Sequence, residues 1–311
     1  MIIQIGLIIV GFALLIKGAD LLVDGSKVIA KKFNISEIII GLTIVSMGTS
    51  MPELFVSLNS ALKGLSDMSM GNVIGSNLNN LLLILGLTAT IGTIKFKKET
   101  KFFEIPMCLG ITLLFWSLCN IGTGLNRNDG IILIIVFILF IIYTIIMAKR
   151  EQEFSEGNDI LEDSLIKNII LIILGIIGLK YGGDFVVDNS EIIAKQLNIS
   201  EKIISLTIVA IGTSLPELVT SIVAVVKKDS DIAIGNIIGS NIFNIVFIMG
   251  VTALVTPINY ALEYNLQMIL LVITTIFLFL FPYIGKKDEM TRSNGFVYLI
   301  IYIVYILLIL I

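Results

Sequence analysis

Long apolar stretches broken by short polar ones run the length of this chain. Stretches long enough to cross hydrocarbon, about 17–25 residues, fall near 2–24, 36–62, 69–91, 103–120, 129–148, 167–187, 201–226, 231–256, 266–283 and 294–311. None alternates with the period of two that marks a barrel strand. Backbone in lipid must bond to itself, so the pattern predicts ten transmembrane helices in an all-α integral membrane protein. Composition removes the alternative of two soluble domains, since 56% of residues are apolar, 14% are charged and mean hydropathy is +1.01.

The polar residues inside the apolar runs occur twice. Residues 39–94 align without a gap onto 203–258 at a constant offset of 164, with 28 of 56 pairs identical. The identities include Thr49/Thr213, Ser50/Ser214, Pro52/Pro216, Glu53/Glu217, Asn72/Asn236, Ser76/Ser240 and Asn80/Asn244. The same offset pairs the segment at 18–36 with that at 182–200, and so Asp20 with Asp184 and Asp24 with Asp188. Repeated polar groups in repeated hydrophobic segments are the mark of a transport site built between two halves.

Charge sets the expected orientation. With the N-terminus outside, the inner loops carry fifteen Lys and Arg residues and the outer loops carry four: Lys63, Arg127, Lys195 and Lys202. Both termini then face outward. Five helices precede the inner connection and five follow it, and an odd number turns the second set upside down. The expected organisation is an N-terminal five-helix repeat over 1–148, a cytoplasmic linker over 149–166, and an inverted C-terminal repeat over 167–311. The first helix lacks a basic lead-in and is read as retained. The linker is acidic and too short for a domain. Cys108 and Cys119 read as small apolar fillers, and the absence of histidine removes the commonest transition-metal ligand. A plasma-membrane location follows, with lipid as the surroundings and no sign of a nucleic-acid or obligatory protein partner.

The chemistry sits in the duplicated segments. Pro52 cannot donate to the carbonyl of Gly48, so the span 36–62 should break near mid-membrane and free carbonyls around 46–49. Thr49, Ser50 and Glu53 then converge on nearly one face. The second copy repeats this with Gly212, Thr213, Ser214, Pro216 and Glu217. A bare proline kink would explain the hydroxyls alone, but a mid-membrane carboxylate costs about 2.5–3.5 kcal/mol and two of them require a compensating role. In the next span Asn72, Ser76 and Asn80 recur every four residues, as do Asn236, Ser240 and Asn244. Asn72, Asn77, Asn236 and Asn241 read equally as interhelical glue or as ligands, whereas Ser76, Asn80, Ser240 and Asn244 lie deeper and read as ligands. These donors are all hard oxygens, which suit Na⁺ and Ca²⁺. Glu53 and Glu217 sum to −2, which one Ca²⁺ or two Na⁺ would neutralise.

The paired GTSMPE/GTSLPE and GNVIGSN/GNIIGSN segments resemble the two alpha-repeats of the cation/Ca²⁺ antiporter superfamily, and specifically its prokaryotic sodium/calcium exchangers. The resemblance covers essentially the whole chain. It implies alternating access, with spans 2–24 and 167–187 sliding as a gating pair and no enzymatic activity. It further implies Glu53 and Glu217 as shared ligands of Ca²⁺ and Na⁺, assisted by Thr49 and Thr213. Ser50 and Ser76 would serve a Na⁺ on one side, Ser214 and Ser240 its mirror on the other, with carbonyls near Ser46 and Ala210 contributing. Asn80 and Asn244 would border the centre; some relatives carry Asp at one of these positions, so stoichiometry and K⁺ dependence stay open. Ca²⁺ and Na⁺ are expected as cargo, with no organic cofactor.

Three rivals stand beside Na⁺/Ca²⁺ exchange. The same glutamates could carry protons in a Ca²⁺/H⁺ antiporter. A cation channel would use similar oxygens, though usually around a symmetric pore of several subunits. An intramembrane hydrolase would need a base beside Ser50 or Ser214, and no histidine or well-placed lysine supplies one. Asp20, Asp24, Asp184 and Asp188 are expected to line access paths or to pair with Lys17 and Lys180.

Overall fold

The computed structural model describes residues 2–154, 164–197, 210–284 and 287–310, nearly all of them helical. The chain begins with α1 (Ile2–Lys32), then α2 (Glu37–Thr49) and α3 (Met51–Leu62), which meet at a bend of 48°. Next come α4 (Ser66–Ile91), α5 (Thr100–Ile121) and α6 (Arg127–Phe154). After the connection follow α7 (Leu165–Gln196), a short helical turn at Ala210–Gly212, and α8 (Leu215–Val226). The described chain closes with α9 (Ser230–Val255), α10 (Tyr264–Tyr283) and α11 (Arg292–Leu310). Among the described residues, seven helices are long and apolar enough to cross a membrane, and the bent pair α2–α3 makes an eighth; α8 and α11 are shorter apolar helices. The start of the expected span 201–226, Lys202, Lys286 and residues 155–163 of the expected linker lie outside the described residues.

Burial divides the helices into two classes. The apolar windows of α4 and α9 are 72% and 83% buried, against 22% for α1 and 17% for α6. Along the middle of α6, between residues 131 and 146, the exposed residues are apolar, Ile131, Ile135, Ile138, Leu139 and Ile142 among them, as expected of a face turned to lipid. The repeated stripes Asn72, Ser76, Asn80 and Asn236, Ser240, Asn244 therefore lie on α4 and α9, the most fully enclosed of the seven long spans. Cys108 and Cys119 are buried on α5, consistent with a filling role.

Close helix packing joins α1 to α7. A Cβ on Gly18 would sit 2.7 Å from the carbonyl oxygen of Gly175, and one on Gly175 would sit 2.7 Å from that of Gly18. Gly11 and Gly182 meet in the same reciprocal way. Larger residues would push the backbones apart, so these small residues make α1 and α7 one tightly packed pair.

Two antiparallel two-residue ladders tie loops together. β1 (Ile94–Lys95) pairs with β4 (Glu289–Met290), and β2 (Gly124–Leu125) pairs with β3 (Ile258–Asn259). Strands this short leave no alternation to read, so the sequence pattern predicts none of them. Gly124, at φ 135°, passes so close to the β3 backbone that no Cβ could fit. The 22-residue α5 separates the ladders by roughly 33 Å, so they lie on opposite faces. Lys27–Asp229 (2.7 Å), Lys97–Asp231 (2.6 Å) and Lys101–Asp288 fasten different elements to one another on the face of β1 and β4.

Candidate functional site

The helix breaks where the proline demands. Ser50 leaves the helical region at φ −86°, ψ 10°, and Pro52 is the second residue of α3. Ser214 does the same at φ −90°, ψ 5°, with Pro216 second in α8. Each break starts a new helix at mid-chain depth and puts a glutamate in its first turn, where unpaired N–H groups favour negative charge. Glu53 and Glu217 are each 1% exposed, and they lie within electrostatic reach of each other.

Side chains of the two copies interlock around these acids. Ser50 Oγ donates to Glu217 Oε1 at 2.7 Å, and Thr49 Oγ1 donates to Asn236 Oδ1 at 3.1 Å. The Ser76 hydroxyl adjoins Glu53. Asn72 Nδ2 donates to the Glu53 carbonyl at 3.2 Å and to Ser57 Oγ at 2.8 Å. Asn236 repeats this on the Glu217 carbonyl at 3.4 Å and on Ser221 Oγ at 3.0 Å. Asn72 and Asn236 thus brace the broken helices, the first of the two readings open for them. Ser57 and Ser221 went unnoticed in the sequence, although both are identical in the repeat and lie four residues beyond the glutamates on the same face.

Asn80 and Asn244 occupy the beginnings of wide, π-helical turns at Asn79–Ile84 and Asn244–Met249. A third such turn, Gly41–Val45, precedes the break in α2. Turns of this kind are frequent at functional sites because they shift side chains out of the regular helical register.

Several buried oxygens near the breaks accept or donate no hydrogen bond. Glu53 Oε2, Glu217 Oε2, Asn80 Oδ1, Asn244 Oδ1, Ser214 Oγ and Ser240 Oγ all belong to this group. Buried polar atoms are normally satisfied, and six oxygens with two negative charges match the needs of a hard cation. No nitrogen or sulfur ligand is among them. The donor set therefore fits Na⁺ or Ca²⁺ as cargo.

The two carbonyl positions differ, and the Ser46 carbonyl is not freed as the proline break predicts, because the break falls one residue later, at Ser50. The Ser46 carbonyl accepts the Ser50 N–H at 3.0 Å and lies 3.2 Å from Thr49 Oγ1. The Ser214 N–H instead turns to Ile211, at 3.1 Å, rather than to Ala210. Thr213 is half-buried where Thr49 is buried. Asp184 pairs with Lys180 at 2.8 Å, as expected. Asp20 and Asp24 do not pair with Lys17; both reach Lys227 at the end of α8, at 2.9 Å each. Lys17 projects from an exposed face of α1, whereas Lys227 lies where α8 crosses that helix.

Known proteins resemble this chain over nearly its whole length. The family described as sodium/calcium exchanger protein matches residues 3–146 and 167–311. The inner membrane protein YrbG of Escherichia coli is 34% identical, over 96% of this chain and 95% of its own length. The sodium/calcium exchanger MaX1 of Methanosarcina acetivorans is 29% identical, over 96% of each. A solved structure of the sodium-calcium exchanger NCX_Mj, soaked with 10 mM Na⁺ and zero Ca²⁺, superposes with a TM-score of 0.84 at 36% identity, covering 98% of both chains. With the family matching residues 3–146 and 167–311, and with a relative 34% identical over nearly the full length, the chain belongs to the sodium/calcium exchanger family.

Proposed function

We propose that this protein exchanges Na⁺ for Ca²⁺ across the cell membrane as a secondary antiporter working by alternating access. The observation that carries the reading is the set of partnerless buried oxygens contributed by both copies of the repeat around Glu53 and Glu217. Two buried carboxylates in one site are unfavourable when bare and are balanced by one Ca²⁺ or by two Na⁺. A carrier that must be filled to be stable, and that either cation can fill, exchanges rather than leaks. In this reading Thr49, Ser50, Ser76, Thr213, Ser214 and Ser240 complete the ion sites with Asn80 and Asn244. The Ser46 and Ala210 carbonyls flank them on opposite sides.

The larger design we infer is ten spans in two inverted five-helix repeats, 1–148 and 167–311, joined by a cytoplasmic linker. The constant offset of 164 supports it. So does the reciprocal pairing of the ladders, in which β1 and β3 are repeat mates and each pairs with a strand from the other half. The ladders also sort the loops into the two faces that the lysine count requires, with the termini outside. The packed pair α1–α7 is the body that slides to open one face or the other.

The test is Na⁺-gradient-driven uptake of radioactive Ca²⁺ into Na⁺-loaded proteoliposomes at clamped pH and potential. Uptake should vanish when the Na⁺ gradient is collapsed, and Glu53→Gln or Glu217→Gln should lower it at least ~100-fold, the scale of losing a charged ligand (about 3 kcal/mol or more). Uptake that ignores Na⁺ and follows a pH gradient would transfer the same glutamates to proton exchange. Single-channel currents would move the protein to another class.

A further inference from the structure

We propose that Asn77 and Asn241, which the sequence leaves open between interhelical glue and ligands, are positioning residues that fix which end of the Asn80 and Asn244 amides faces the ions. This rests on the exchange reading above. A carboxamide has two ends of nearly the same shape, one an acceptor and the other a double donor. A cation needs the oxygen; the NH₂ end would repel it. Something must hold the amide the right way round.

The hydrogen bonds supply that constraint, and they allow only one assignment. Asn77 Nδ2 lies 3.2 Å from the Asn241 backbone carbonyl, and Asn241 Nδ2 lies 3.4 Å from the Asn77 backbone carbonyl. A backbone carbonyl can only accept, so the amide end that touches it is the nitrogen. The other end of each amide is then an oxygen. Asn77 Oδ1 receives a bond of 3.0 Å from Asn244, so the donor there is Nδ2. Asn241 Oδ1 receives one of 3.0 Å from Asn80 in the same way. What remains on Asn80 and Asn244 is Oδ1, and those are two of the buried oxygens without a partner. Flip states are ordinarily settled by their network; here the network is anchored in main chain and has no second solution.

The arrangement is crossed. Asn77, on α4, orients Asn244 on α9; Asn241, on α9, orients Asn80 on α4. All four side chains are at most 1% exposed, so water offers no substitute partner. The four amides also link the two central helices directly.

The crossing makes the proposal testable by double-mutant cycles on the Ca²⁺ KM of Na⁺-driven uptake. Asn77→Leu should raise the Ca²⁺ KM by ~5–10-fold, the scale of one neutral hydrogen bond, with a smaller change in kcat. That effect should collapse to under about 2-fold in an Asn244→Ala background and persist in an Asn80→Ala background. Asn241→Leu should show the reverse dependence. Asn77→Ala and Asn241→Ala serve the same cycles if the leucine variants do not assemble. Additive effects in both backgrounds, or a fall in kcat with KM unmoved, would overturn the proposal and leave these residues as helix glue. The same cycles are read as the Ca²⁺-induced rise in Tm of the solubilised protein, which does not depend on the driving ion or on residual transport. Wild-type uptake without Na⁺ dependence would therefore sink the exchange reading while the crossed pattern in Tm still decided this one.

Discussion

Lys227 and Lys63 are the same residue in the two copies of the repeat, yet they behave differently. Lys227 bridges Asp20 and Asp24 of α1 at 2.9 Å each, closing the lysine-rich face where α8 meets α1. The equivalent triad on the other face is Lys63, Asp184 and Asp188. There Lys63 is exposed, and Asp184 turns to Lys180 on its own helix. Nearer the centre, Ser50 bonds Glu217, whereas its counterpart Ser214 has a partnerless hydroxyl. The triads and the serines are identical in the two copies, although Lys180, the partner of Asp184, has Ile16 as its repeat mate. Among the described residues one face is fastened by these ion pairs and the other is not, and in the proposed inverted-repeat design the two arrangements would exchange at little cost.

The most severe way to break that comparison is to make the fastened state permanent. With Lys227 and Asp24 both replaced by cysteine, a short thiol-specific cross-linker should form readily and reduce uptake to background, with recovery on reduction. Native Cys108 and Cys119 are buried and should not interfere. Cysteines at Lys63 and Asp188 should cross-link slowly, and faster once ions drive turnover. Equal cross-linking on both faces, measured by mobility shift, would mean that the two faces do not differ in solution.

A smaller effect separates the two serines. Ser50→Ala removes a hydroxyl donated to a buried carboxylate and should destabilise the ion-free protein by about 1.5–3 kcal/mol. Ser214→Ala removes a hydroxyl that bonds nothing in this state, and should change stability by about 0.5 kcal/mol or less. Denaturation in detergent without Na⁺ or Ca²⁺ reads both. Equal losses would show that both serines engage the acids and that the asymmetry lies elsewhere.

Much of the site was legible because polar residues stand out in an apolar background, and because they appear twice. Pro52 and Pro216 announced the breaks; Glu53, Glu217, Ser240 and Asn244 then emerged among the partnerless oxygens. The wide turns at Asn79–Ile84 and Asn244–Met249 were not legible, since an extra residue in a helical turn leaves no trace in periodicity. Nor was the reach of Asp20 to Lys227, two charges about two hundred residues apart that only the packing of α8 on α1 brings together. The difference between the faces was legible only at Lys180, whose repeat mate is Ile16; the identical triads and serines carry no information about which face is fastened.

The smallest prediction sharpens the comparison most, because it asks how much the Lys227 lock is worth. Its groups are only partly buried, with side-chain exposures of 27% for Lys227, 33% for Asp20 and 60% for Asp24, so each ion pair contributes at most about 1 kcal/mol. Lys227→Ala should therefore shift the balance between faces by roughly 5-fold, seen as faster thiol labelling of a cysteine at Asp24. Lys63→Ala should leave that rate unchanged. Burial lowers the Lys227 pKa, but bonds to Asp24 and Asp20 more than reverse this and leave it raised above 10.5. A raised lysine pKa means that the stabilisation is fully present below its ordinary value and is lost only as pH climbs past the folded one. Deprotonation of Lys227 should therefore leave the lock intact near neutrality, while added salt weakens it by screening. A labelling rate that, once divided by the thiolate fraction of the labelled cysteine at each pH, still responded to alkaline titration near pH 8 but not to ionic strength would assign the fastening to some other group.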